Sequence, residues 1–238
     1  DPIEITQPGL CQVQVNSRIG WTFAAAMRTF LRADPDVVMI GEMRDEETAR
    51  IAIEASLTGH LVLSTLHTNS AAESIARLLE MGMDPFNFSD SLLAVLAQRL
   101  VRRLCPSCKR RELARPEEVE QMALEYQRSA HEDVSAASTE ALLARWRHAH
   151  GDAQGQLWLH RKVGCKACDD RGYKGRMGIH ELLVSNDDIR HLIRHRGSAA
   201  EILSKALSAH MLTIRQDGIE KVWQGLTDLS EVLAASNT

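Results

Sequence analysis

The chain has 238 residues, of which 44% are apolar and 25% are charged, proportions typical of an ordinary globular protein. Its net charge of −4 gives no general attraction for nucleic acid or anionic lipid, and an aromatic content of 4% disfavours a surface built for base stacking. No apolar run reaches the roughly 18–20 residues that a membrane-spanning helix needs.

The chain up to Ile40 predicts one helix and one strand. Thr22 is placed to cap a helix over Phe23–Ala33, and Asp34-Pro35 ends that helix because the residue before a proline disfavours helical backbone. The apolar, β-branched run Val37–Ile40 then predicts a short strand that is buried on both faces.

The next elements continue the alternation of helix and strand. They are predicted as a helix from Asp45 to about Leu57 with Gly59 as its C-cap, a strand over Leu61–Leu66, a helix from a capping box at Ser70 to Gly82, and a helix over about Ser89–Leu104. The last helix depends on leucines at helical spacing. Strand–helix–strand order with short connections indicates an α/β fold with a parallel sheet and right-handed crossovers.

Polar side chains follow both predicted strands at the point where each strand ends. Glu42 and Arg44 come after the first strand, and His67 comes after the second. Ligands of open parallel sheets bind at the carboxyl ends of the strands, where a carboxylate can hold a magnesium-bound water and an imidazole can contact a terminal phosphate. The alternative is a solvated Glu42–Arg44 ion pair and a helix-capping His67.

Three segments resemble motifs of the type II secretion and type IV pilus assembly ATPases. Asp34–Asp45 resembles their Walker B segment, Thr58–Asn69 resembles their histidine box, and Asp1–Glu4 resembles the end of their aspartate box. The resemblance continues through residues 97–100, the cysteine pairs and residues 175–182, and it leaves out about 112–155. It implies a RecA-like parallel sheet with flanking helices in residues 1–104.

The resemblance also implies roles for single residues. Glu42 matches the Walker B glutamate, which serves magnesium coordination or water activation; His67 matches the γ-phosphate sensor, and Glu4 an acid near the attacking water. Four arginines match positions near the nucleotide or the neighbouring subunit, namely Arg28, Arg32, Arg44 and Arg176. The implied cofactors are ATP and Mg²⁺. Surface solvation is the alternative for Arg28 and Arg32, which lie four residues apart on one predicted helix face.

One motif of these ATPases is missing from the sequence. There is no Gly-x-x-x-x-Gly-Lys-Ser/Thr loop and no Gly-Lys pair, although that loop supplies the backbone N–H groups and the lysine that hold phosphates. We interpret the chain as the C-terminal part of such an ATPase, without the Walker A loop, and expect it to be inactive as an ATPase by itself.

Four of the five cysteines form two Cys-x-x-Cys pairs, Cys105/Cys108 and Cys165/Cys168. Four thiolates can bind Zn²⁺ tetrahedrally in a closed structural site, and the resemblance supports zinc here. The gap between the pairs exceeds that of a zinc ribbon but need only be a surface loop, and the alternative is four reduced cysteines without metal. Cys11 is interpreted as a structural thiol.

The remaining segments complete the predicted organisation. Residues 105–175 are predicted as a tetracysteine zinc-binding module with a polar, helix-tolerant insertion at 112–155 that lacks a clear strand pattern. Residues 176–238 are predicted as a C-terminal helical subdomain with breaks at Gly197, Gly218 and Gly225.

Two functions remain open from the sequence. The first is an ATP-hydrolysing homo-hexameric motor subunit that powers type II protein secretion or type IV pilus assembly, cytoplasmic and peripheral at the inner membrane, where it contacts an inner-membrane platform protein. The second is a non-catalytic zinc module that binds nucleic acid or a protein partner through its basic flanks. The acidic chain and its few aromatic residues argue against direct nucleic-acid binding.

Overall fold

A computed structural model describes residues 3–130 and 135–236 of the chain. Its strands are β1 (Val37–Ile40), β2 (Leu61–Ser64), β3 (Ala94–Leu104), β4 (Arg110–Leu113), β5 (Trp158–Arg161) and β6 (Tyr173–Val184). Its helices are α1 (Phe23–Phe30), α2 (Glu46–Leu57), α3 (Ala71–Glu80), α4 (Pro85–Ser91), α5 (Pro116–Ser129), α6 (Ala136–His150), α7 (Asp187–Arg194), α8 (Ala199–Ser208), α9 (Ile214–Trp223) and α10 (Leu229–Ser236). Within the described ranges, no helix combines the length and apolar character needed to cross a membrane.

The described residues form two compact units. The first unit is drawn from Asp1–Val95 and Val184–Ala206, and the second from Leu96–Leu183 and Leu207–Thr238. The mixture of helices and strands confirms the predicted α/β class. The RecA-like sheet and the domain limits at 104/105 and 175/176 stay predictions.

In the first unit, β1 and β2 form a parallel pair, as the strand–helix–strand order predicts. Their register runs from Val37 opposite Leu61 to Ile40 opposite Ser64. Residues of α1 and α2 form one apolar cluster with Val38 and Ile40, so both helices cover the same face of the pair. The prediction that β1 is buried on both faces is therefore wrong, and Met39 on the other face is 70% exposed.

The predicted helix starts are confirmed in the first unit. Three side chains accept a hydrogen bond from the backbone N–H three residues further on, and they belong to Thr22, Asp45 and Ser70. Three element ends differ from the prediction, because α1 ends at Phe30, β2 ends at Ser64 and α3 ends at Glu80. Gly59 follows the C-cap residue Thr58 and has φ of 102°, a left-handed conformation that glycine adopts without strain.

The helix predicted over about Ser89–Leu104 is wrong. Helix α4 ends at Ser91, and the chain continues as β3, which pairs with β6. The leucines that suggested a helix include Leu96 and Leu100, which are both exposed, whereas Ala97 and Val101 are buried. The helical spacing of the leucines therefore did not mark one buried helix face, since Leu96 and Leu100 are exposed while Leu104 is buried.

The insertion at 112–155 contributes to the core of the second unit. Helices α5 and α6 form an apolar cluster with β5, α9 and α10, and Trp146 of α6 is fully buried in it. The Trp146 ring lies 5.4 Å from that of Tyr126 and 5.2 Å from that of Trp223, measured between centroids. The helix-tolerant character of the insertion is thus confirmed, and its two helices pack into the core instead of forming a surface loop.

Strands also occur where the sequence predicted none. The segments on either side of the helical part of the insertion pair as antiparallel strands, β4 and β5, with Arg110 opposite Arg161 and Leu113 opposite Trp158. Residues 176–184, predicted as helical, belong to β6. The predicted break at Gly218 is also wrong: it lies inside α9, where a Cβ atom would come within 2.5 Å of Val232, so the glycine allows α10 to approach.

An ion-pair network joins the start of α5 to β5. The Glu118 carboxylate accepts hydrogen bonds from Arg161 at 2.7 Å and from Arg115 at 3.1 Å, and its side chain is 18% exposed. The hydrogen bond from Arg161 is the main reason that the pKa of Glu118 is lowered to about 2. Ionised Glu118 therefore stabilises the second unit.

Glu118→Gln is expected to lower the free energy of unfolding by about 1–2 kcal/mol at pH 7. A depressed carboxyl pKa contributes stability that is present above the unfolded value of 4.5 and is lost as the pH falls toward about 2. The difference in the free energy of unfolding between variant and parent should therefore shrink as the pH falls over that range. It is measured by urea unfolding followed by tryptophan fluorescence. Glu117→Gln, an exposed neighbour in the same turn, is the control; a difference that stayed constant down to pH 3 would contradict the assignment.

Candidate nucleotide site and metal centre

The segments that follow β1 and β2 stay hydrogen-bonded beyond the ends of the strands. The Met43 N–H donates to the Thr65 carbonyl at 3.1 Å, and the Thr65 hydroxyl donates to the Gly41 carbonyl at 2.5 Å. These bonds lie on either side of Glu42 along the chain. They hold the backbone around Glu42 against the segment that leads to His67.

Glu42 lies at the centre of a cluster of three side chains. Side chains on extended backbone alternate between faces, so Glu42 continues the buried face of Val38 and Ile40 and is only 7% exposed. Its Oε2 accepts from Arg44 Nε at 2.5 Å, and its Oε1 lies 2.9 Å from His67 Nε2. The expectation that the strand ends bring Glu42 and His67 together is confirmed, and their catalytic roles stay predictions.

The Glu42–Arg44 ion pair, which the sequence offered as an alternative, is present, with a buried carboxylate and an exposed guanidinium. The Glu42 side chain is 9% exposed, whereas those of Arg44 and His67 are 64% and 86% exposed. A buried carboxylate can accept a proton from water, or a hydrogen bond from a metal-bound water. An exposed imidazole beside it can at the same time contact a ligand that arrives from solution. The arrangement is therefore suited to hydrolysis of a phosphate ester or anhydride.

The other predicted site residues lie in different surroundings. Arg28 on α1 forms an ion pair with Glu47 on α2 at 2.5 Å, and both side chains are about half exposed. Arg32 lies in the turn after α1, so the expected shared helix face with Arg28 is not formed. Glu4 is exposed in the first unit, and Arg176 is exposed on β6 in the second unit. Asp1 and Pro2 of the expected aspartate box lie outside the described residues.

The hydrogen bond by which the Thr65 hydroxyl joins the two strand ends was not predicted from the sequence. For Arg44 the sequence left two interpretations open, a nucleotide contact implied by the resemblance and an ion pair with Glu42. Residues i and i+2 on extended backbone project to the same face, and opposite charges at that spacing were the available signal. No sequence pattern predicts the Thr65–Gly41 hydrogen bond, because this bond depends on the register of β1 and β2.

The four paired cysteines converge in the second unit. Cys105 and Cys108 follow β3, and Cys165 and Cys168 border a 3-10 turn before β6. Their sulfur atoms all lie within 4.8 Å of one another, with 4.0 Å between Cys105 and Cys165 and 3.9 Å between Cys108 and Cys168. A tetrahedron with Zn–S bonds of about 2.3 Å has edges of about 3.8 Å, so the four sulfurs fit Zn²⁺.

Backbone N–H groups surround the sulfurs of this cluster. The Gly164 N–H donates to Cys108 Sγ, and the N–H groups of Cys165 and Gly172 donate to Cys168 Sγ. The N···S distance is 3.3 Å in each case. Desolvation opposes ionisation of Cys168, but these hydrogen bonds hold its pKa at about 7, while desolvation raises the pKa of Cys165 to about 11. Such N–H donors favour the thiolate form that binds metal.

One equivalent of zinc per chain is expected in protein purified without chelator. Cys108→Ser should lose the metal and lower the melting temperature by several degrees, because the cluster ties the end of β3 to the start of β6. Metal content is measured by inductively coupled plasma mass spectrometry. Cys11→Ser, which removes the exposed fifth thiol, should keep the metal. Metal-free parent protein, or a Cys108→Ser variant that retains a full equivalent, would show that the cluster is not a zinc site.

Comparison with known sequences identifies related proteins. The model of the family described as "Type II/IV secretion system protein" matches residues 1–234. The chain is 48% identical to the type IV pilus assembly ATPase PilB of Thermus thermophilus over 98% of its length, and 48% identical to the type II secretion system protein E of Pectobacterium carotovorum over the same share. It spans 24% of the first relative and 41% of the second.

Solved structures show the same fold relationship. The pilus retraction motor PilT with bound ADP aligns with a TM-score of 0.52 and 25% identity, over 91% of this chain and 44% of PilT. The Legionella pneumophila ATPase DotB aligns with a TM-score of 0.53 over 90% of this chain and 42% of DotB, and at 21% identity that likeness concerns the fold. Because the family model covers almost the whole sequence, the chain belongs to the type II/IV secretion system protein family.

Proposed function

We propose that the chain is part of an ATP-hydrolysing motor subunit that powers type II protein secretion or type IV pilus assembly. The observation that carries the proposal is the contact between Glu42 and His67 at the ends of two parallel strands, 2.9 Å apart. One relative is named as a type IV pilus assembly ATPase and another as a type II secretion system protein, and the chain is 48% identical to each. The proposal therefore covers both machines.

The proposed chemistry is attack of water on the terminal phosphate of ATP. Glu42 would orient the water and accept its proton, and His67 would contact the terminal phosphate. Magnesium bound with ATP would supply charge neutralisation on the phosphate oxygens. Glu4 is proposed as a second acid near the attacking water, and Arg28, Arg32 and Arg176 as contacts to the nucleotide or a neighbouring subunit. The resemblance supports these four assignments.

The proposed assembly follows from the resemblance as well. We propose a homo-hexamer that is cytoplasmic and peripheral at the inner membrane, held there by an inner-membrane platform protein. An arginine from a neighbouring subunit can stabilise charge on a transferring phosphoryl group, so a ring would complete sites that one subunit lacks. In the second unit the tetracysteine cluster is proposed to hold Zn²⁺ in a structural role, since four thiolates leave no position open for a reactant.

Glu42→Gln in the complete gene product is expected to lower kcat for ATP hydrolysis by about 10²-fold or more, because the amide keeps the shape of the side chain but cannot accept the proton. The dissociation constant for a fluorescent ATP analogue should stay within about twofold of the parent. Glu54→Gln, which changes an exposed acid of α2, should leave kcat unchanged. Parental turnover by Glu42→Gln would refute the role proposed for Glu42.

A further inference from the structure

Both oxygens of the Glu42 carboxylate are engaged in this structure. Arg44 Nε lies 2.5 Å from Oε2, and His67 Nε2 lies 2.9 Å from Oε1. The residue is 7% exposed, so the carboxylate contacts little of the water that a surface carboxylate would contact. Each oxygen still has a second lone pair, so these contacts do not exhaust the acceptor capacity of the carboxylate, but they limit the room that a water would need beside it.

The two partners of Glu42 differ in the backbone segment that carries them and in exposure, which is 64% for the Arg44 side chain. Arg44 follows Glu42 by two residues, and the Met43 N–H between them is hydrogen-bonded to the Thr65 carbonyl, so the backbone that carries the pair is anchored. The Arg44 guanidinium is also permanently charged. His67 comes from the other strand end, and its side chain is 86% exposed. An exposed imidazole can turn toward solvent at little cost in packing.

We propose that Arg44 is a positioning residue that fixes Oε2 of Glu42, and that His67 covers Oε1 until the imidazole turns away. The inference rests on the proposed ATP hydrolysis and deepens it. It assigns Arg44 to the carboxylate, whereas the family resemblance placed that arginine near the nucleotide. Oε1 then becomes the proton-accepting atom, and Oε2 stays bonded to Arg44 throughout.

The proton balance of this step is simple. The oxygen of water forms a bond to the terminal phosphorus, the bond from that phosphorus to the bridging oxygen breaks, and one proton of the water passes to Oε1 of Glu42. ADP and phosphate are the products. Arg44 keeps the carboxylate plane fixed while this happens, and the movement of His67 makes Oε1 available at the time when the imidazole contacts the phosphate.

The two assignments of Arg44 predict different kinetics. A residue that positions Glu42 affects turnover and leaves nucleotide binding nearly unchanged, whereas a residue that contacts the nucleotide affects binding. Arg44→Gln in the complete gene product is expected to lower kcat at least tenfold while the dissociation constant for the fluorescent ATP analogue changes less than twofold. Arg44→Lys should recover part of kcat because it keeps a positive charge near Oε2.

Two further variants sharpen this test. Arg44→Gln added to Glu42→Gln should cause no additional loss of kcat, because the arginine acts through the carboxylate. Arg50→Gln, which removes an exposed arginine of α2, should match the parent in kcat and in binding. A tenfold rise in the dissociation constant of Arg44→Gln, with parental kcat at saturating ATP, would overturn the proposal.

A measurement without ATP separates this inference from the proposed function. In urea unfolding of the 238-residue chain, the losses caused by Arg44→Gln and by Glu42→Gln should be non-additive, and the double variant should lose less than the two single variants together. Strict additivity would mean that the two side chains are not coupled, and the proposal would fail. A complete gene product that binds but does not hydrolyse ATP would refute the proposed function, while the unfolding cycle would still decide the coupling.

Discussion

The parallel hydrogen bonding of β1 with β2 is the constraint on which the candidate nucleotide site depends. Because Ile40 lies opposite Ser64, both strands end at the same level, and the segments that leave them remain bonded through Thr65. A shift of the register by one residue would turn Glu42 to the other face of the pair. The contact between Glu42 and His67 is therefore a consequence of the register in which the backbones of β1 and β2 pair.

This constraint explains why the centre of the site could be predicted from the sequence. Helix caps such as Thr22 and Asp45 depend on bonds within a few residues, so the local sequence contains their whole cause. Two short apolar runs joined by a helix imply parallel strands, and parallel strands place their following residues together. No such local pattern places Arg176 relative to Glu42, because the two residues are far apart in the chain.

Features that depend on distant partners could not be predicted. Leu96 and Leu100 suggested a helix, but pairing with β6 makes their segment a strand, and only the partner reveals which face is buried. Strand β4 begins with Arg110 and Arg111, whose charges hide its pairing with β5. The burial of Trp146 likewise depends on α9, which lies some seventy residues further along the chain. Tertiary contacts override local propensity in each of these places.

The separation of the cysteine pairs along the chain has a consequence for synthesis. Cys105 and its partner Cys165 are 60 residues apart, so the first pair leaves the ribosome well before the second. At about 5–20 residues per second, this interval lasts about 3–12 s. During that time the first two thiols are a half-formed ligand set, open to oxidation or to loosely held metal. Strand β3 also has no β6 to pair with until β6 is synthesised. Its edge is therefore open to pairing with other nascent chains during this time.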